Sequence, residues 1–149
     1  MQRVERSTVI GARAEEVFAF IADLENLPAW QTGIVSARRT SEGPVARGST
    51  ALVVRELMGQ RIEAPLEVTE FQPPARLTVA SSVGGVRATA TLDVRPGAAG
   101  VDGSQVTFAM ELRGSGFTAF MEPVIARTAA GELEVSLERL RERFASADE

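Results

Sequence analysis

Between residues 34 and 113 the apolar side chains recur at every second position, whereas on either side they recur at helical spacing. That change of period restricts the fold more than any other feature of the sequence, since period 2 marks half-buried strands and period 3.6 amphipathic helices. Six segments read as strands: IVSARRT, STALVVREL, QRIEAPLEVTEF, ARLTVASSV, VRATATLDV and QVTFAMELR. The clearest alternations are Val106, Phe108, Met110, Leu112 and Val86, Ala88, Ala90, Leu92, Val94. One wet face and one dry face on each strand predict an antiparallel sheet. Turn residues separate the strands, among them Gly59 and the pair Gly84–Gly85. QRVERSTVI at 2–10 reads as a further strand.

Two helical stretches flank this block. In EEVFAFIADLENLPAW, residues 15–30, the side chains of Val17, Phe20, Ile21 and Leu24 share a face, and Asn26 and Pro28 break the run. The second stretch starts at Pro123, expected as the first helical residue. Along it Ala126, Ala129, Ala130, Leu133, Leu137, Leu140 and Phe144 share one face, with Glu132, Arg139 and Glu142 opposite. Thr128 falls on the polar side. Residues 117–121 form a separate short element.

The long stripe is graded: leucine and phenylalanine in its C-terminal half, alanine in its N-terminal half. Methyl groups facing a concave sheet leave volume that close-packed interiors rarely tolerate. Either inward sheet side chains fill that volume or a ligand does. Alternatively, alanine is present only as a good helix former that permits close contact. If the volume is a cavity, Phe117, Phe120 and Met121 lie near its mouth, and Ala126→Phe or Ala130→Phe should block uptake while sparing the fold.

Composition narrows the chemistry. The 149 residues, 44% hydrophobic, fit a single domain over 1–149. Cysteine, histidine, lysine and tyrosine are all absent. Thiolate nucleophiles, disulfides, side-chain Schiff bases and the usual neutral-pH base are therefore excluded. No metal-ligand spacing or phosphate-cradling loop occurs, so neither metal nor cofactor is expected. A net charge of −4 argues against nucleic acid. Without an apolar run of membrane length or a signal-peptide pattern, the expected location is the cytoplasm.

The order strand, two short helices, six strands, long helix resembles the START-like, or Bet v 1-like (SRPBCC), superfamily, and the sequence is most similar to its bacterial polyketide cyclase/dehydrase-like branch. The marks are I-G-A-x-x-E-E-V-F-x-F-I-x-D at 10–23, N-L-P-A-W at 26–30, EVTEFQPPARL at 67–77 and ELEVSLERL at 132–140. Arg13 stands where relatives usually carry proline. The resemblance implies an α+β helix-grip fold: a curved seven-stranded antiparallel sheet wrapped around the C-terminal helix. Two short helices close one end between the first two strands. It also implies a cavity for a hydrophobic or amphipathic small molecule. Alternatives are a polyketide cyclase/dehydratase in the same cavity, and a protein-interaction module like the Hsp90-ATPase activators.

On that frame Trp30 sits where helix meets sheet, as an end plug first and a ligand contact second. Val79, Ser81, Ala90, Phe108 and Met110 are candidate cavity residues. The register of strand 49–57 leaves two faces open. One carries Leu52, Val54 and Glu56; the other carries Ala51, Val53 and Arg55. If the first faces inward, Leu52 and Val54 line the cavity and Glu56 becomes a buried candidate general base. The plainer reading of Glu56 is a solvated residue beside a hairpin. Ser81 is the other candidate catalytic group. Of Arg38 and Arg39, one faces out and the other is a candidate grip for a carboxylate or enol oxygen. Val135, on the polar helix face, marks a candidate contact in a homodimer.

Overall fold

The structure, a computed structural model, describes residues 2–57, 59–83, 85–97, 103–114 and 121–147. Strand β1 (Gln2–Ile10) leads into α1 (Ala14–Ala22), a 3-10 turn at Leu24–Asn26 and the short α2 (Leu27–Trp30). Five strands follow as a meander: β2 (Ile34–Arg39), β3 (Thr50–Leu57), β4 (Gln60–Gln72), β5 (Arg76–Val83) and β6 (Val86–Pro96). The last strand, β7 (Ser104–Gly114), precedes α3 (Glu122–Ala147). The sheet order is β1-β7-β6-β5-β4-β3-β2, antiparallel throughout. This is the expected helix-grip arrangement.

Local chemistry explains the entry to the sheet. Glu15 and Glu16 occupy the first turn of α1, where the helix dipole favours acids. Asp23 ends α1 in an extended conformation, and its side chain accepts from the Glu25 N–H to start the 3-10 turn. Pro28 falls in the first turn of α2, where its missing N–H leaves no partner unmet. Phe18, not Phe20, completes the buried face of α1 with Val17 and Ile21. Phe20 instead meets Phe144 edge-on at 5.8 Å, beneath the Arg143 guanidinium.

One core fills the space between sheet and helices. Ile10, Ile21, Leu24, Leu77, Val106, Leu133 and Leu140 are among its fully buried members. Helix α3 lies against β1 and β7. Polar tethers fix its middle on both flanks. Arg6 of β1 donates to Glu134 at 2.8 Å, the Thr32 N–H donates to Ser136 Oγ at 3.0 Å, and Arg139 donates to the carbonyls of Pro28 and Ala29. Arg139 is thus a tether between helices, where the angular count placed it on the free face. No described helix is long and apolar enough to cross a membrane.

Candidate ligand-binding site

The register settles which face of each strand looks at α3. On β3 that face carries Ala51, Val53 and Arg55, because Arg55 Nη2 donates to Glu132 of α3 at 3.0 Å. Leu52, Val54 and Glu56 therefore lie on the opposite, outer face, and Glu56 is exposed. They do not line a space under α3, and Glu56 is no buried acid. The sequence left this choice open because both faces of the strand are equally apolar near its centre.

Cross-strand pairing carries the inward face around the sheet. It runs through Ala64 and Leu66 on β4, and Leu77, Val79 and Ser81 on β5. Ala88 and Ala90 continue it on β6, then Phe108 and Met110 on β7. The sequence-predicted residues Val79, Ser81, Ala90, Phe108 and Met110 thus share one wall. Ala126 faces this wall and is 6% exposed. Ala130 lies on the helix flank nearer β1 and is half-buried. Met121 is exposed at the start of α3, and Phe117 and Phe120 lie outside the described residues.

Burial divides this interior in two. Toward the C-terminal half of α3 it is sealed: Trp30 is fully buried and its ring meets Phe108 at 5.7 Å. The Trp30 Nε1–H has no hydrogen-bond partner among the described residues. Trp30 is a core plug, with no surface left for a guest.

Toward the N-terminal half of α3, where Ala90, Met110, Leu112 and Ala126 are buried, other inward-facing side chains remain half-buried. Ile62, Val79, Val86 and Ala88 do so on the sheet, and Ile125 on the helix. Ser81 belongs to the same group, and its hydroxyl donates to the Pro65 carbonyl at 2.7 Å. Its proton is committed to the backbone, so no base is engaged with it. Ile62, Val86, Ala88 and Ile125 were not singled out from sequence, although Val86 and Ala88 stand in the clearest alternation of the chain.

Two polar inward groups complete the region. Arg55 and Glu132 keep 23% and 26% side-chain exposure. Burial raises the Glu132 carboxyl above its usual range, and the Arg55 charge only partly opposes this. The backbone of Gly33 (φ +90) lies against the pair: a Cβ there would sit 3.3 Å from Glu132 Oε1 and 3.4 Å from Arg55 Nη2. On β2, Arg39 faces inward and Arg38 outward, and Arg39 turns to the Gly43 carbonyl at 2.6 Å. Glu56 borders a separate surface concavity of about 360 Å³ with Thr32–Val35. Among the described residues no cluster of acids is placed to hold a metal ion.

A profile described as "Polyketide cyclase / dehydrase and lipid transport" matches residues 1–145. The chain belongs to this polyketide cyclase/dehydrase and lipid transport family. Solved structures agree in fold. A START superfamily protein from Mycobacterium smegmatis superposes with a TM-score of 0.81 at 16% identity, over 97% of this chain and 98% of that one. XoxI from Bacillus cereus gives 0.76 at 20% identity, over 100% and 99%. The di-domain ARO/CYC BexL from the BE-7585A biosynthetic pathway gives 0.76 at 19%, with 95% of this chain spanning 46% of that one. No curated protein matches the chain significantly by sequence. For a member of the polyketide cyclase/dehydrase and lipid transport family, the half-buried wall under the start of α3 is the candidate site.

Proposed function

We propose that the chain binds a hydrophobic or amphipathic small molecule, lipid-like or polyketide-like, between the N-terminal half of α3 and the inward face of β4–β6. The observation that carries this reading is the contrast within one interior. Apolar side chains on facing elements are sealed at the Trp30 end, whereas Ile62, Val79, Val86, Ala88 and Ile125 are left half-buried at the α3 start. Apolar surface left in contact with water on both walls of a groove is what a guest would cover, at roughly 25 cal/mol per Å².

A cyclase or dehydratase acting in the same groove has less support. Glu56 faces away from it, and the Ser81 hydroxyl is held by Pro65. Binding without assigned chemistry is the function the geometry favours.

The test is native mass spectrometry of the protein as isolated from its producing cells, paired with the variant Ala88→Phe. The phenyl ring would occupy the groove from the sheet side. We expect a retained small molecule on the parent and loss of at least about 90% of it on the variant, roughly the effect of 1.4 kcal/mol. Thermal midpoints should stay within a few degrees of each other. A variant that unfolds would mean the wall was already filled, and the reading would fail.

A further inference from the structure

The strands segregate their charges by face. Every Asp and Glu on a strand, Glu5, Glu56, Glu63, Glu67, Glu70, Asp93 and Glu111, occupies an outward position in the register. The charged residues at inward positions are arginines: Arg6, Arg39 and Arg55. Among the described residues negative charge reaches the sheet's inward side from α3, where Glu122 is buried, Glu134 takes Arg6 and Glu132 takes Arg55. Arg6 and Glu134 are largely exposed, so their pair is a surface bridge of little consequence.

The second pair is differently placed. Arg55 pairs across the sheet with Ile62, a half-buried inward residue of the groove. Glu132 lies on the same flank of α3 as Ile125 and Ala129, two turns and one turn away. The two side chains meet through a single donation, Nη2 to Oε2, and not through the bidentate fork that makes an arginine–carboxylate pair strong. Glu132 is also partly desolvated, which makes its charged form costlier than in water. Arg55 is therefore a cation beside the half-buried apolar side chain of Ile62, paired through one hydrogen bond with a carboxylate from the protein itself.

We infer that Arg55 is the anchor for an acidic head group of the guest, and that Glu132 is the internal counterion which that head group displaces. The guest class is then an amphipath with a carboxylate or comparably acidic oxygen at one end. This inference rests on the groove being a binding site, and the experiment separates the two.

Decanoate and 1-decanol are matched probes of nearly equal apolar area that differ in the acidic head. Both are titrated calorimetrically at neutral pH into the parent, Arg55→Leu and Glu132→Gln. On the parent we expect decanoate to bind at least about tenfold tighter than decanol, as a charge-assisted hydrogen bond allows. Arg55→Leu should bring the acid-to-alcohol ratio close to one, and Glu132→Gln should raise it above the parent's by removing the competing carboxylate. Should Arg55→Leu fail to fold, Glu132→Gln still decides through the direction of that ratio. Equal binding of the two probes to the parent, or a ratio that Glu132→Gln leaves unchanged or lowers, overturns the Arg55 assignment while leaving the groove intact. Failure of both probes to bind any variant overturns the groove as well.

Discussion

Trp30 shows what a single side chain does in this interior. It is fully buried against Phe108, and its Nε1–H finds no acceptor among the described residues. Ring and N–H therefore act in opposite directions. The ring's burial stabilises the fold, and Trp30→Ala should cost about 3–5 kcal/mol. An unmet buried donor costs on the order of 1–3 kcal/mol, so Trp30→Phe, which keeps a ring and drops the donor, should cost far less than the alanine variant. Urea midpoints would check this, and near-equal losses in both variants would contradict it. Trp30 was legible as a plug in the sequence. Its missing acceptor was not, because only the packed neighbours reveal what lies opposite a ring nitrogen.

Two glycines show how the same residue has opposite meaning in different elements. Gly33, between α2 and β2, has φ +90, and its α-carbon faces the Arg55–Glu132 pair. Gly33→Ala should destabilise by about 1–2 kcal/mol from the left-handed backbone alone, with the tight contact adding to it. Gly131 sits exposed in the middle of α3 with open space around the missing Cβ. Gly131→Ala should stabilise by up to about 1 kcal/mol, the difference in helix propensity. Thermal melts of the two variants should shift in opposite directions. The elements themselves were legible: all six sheet segments and the final helix fall within a few residues of their expected places. Strand faces were less so. For β6 and β7 alternation alone fixed the inward side, whereas β3 needed the Arg55–Glu132 contact, a tertiary fact. Hence Leu52, Val54 and Glu56 were candidates for a wall they do not join.

At the scale of the whole molecule, the Glu132 carboxyl links protonation to folding. Its native value lies above the usual one because burial disfavours the charge. As pH rises past the ordinary glutamate value, about 4.3, the unfolded chain ionises first and the native state loses ground until both are ionised. The stability from this group is thus present at low pH and lost as pH climbs through the native value. Glu132→Gln lacks the slope, so its stability relative to the parent should increase with pH across the mildly acidic range. Denaturation curves at several pH values would measure this, and a difference that stays flat or falls would refute it.

The pairing of β1 with β7, Gln2 beside Leu112, sets the order in which the chain can assemble. Strands β2 to β7 form a ladder of sequence neighbours and can zip up hairpin by hairpin as each emerges during synthesis. The strand made before all of them has no sheet partner until roughly a hundred residues later have been translated. Closing that longest loop falls to the end of folding, when α3 also gains the surface it lies on. Until then the β7 edge stays open to strands from other molecules, and aggregation during refolding should be most severe when the first ten residues are removed.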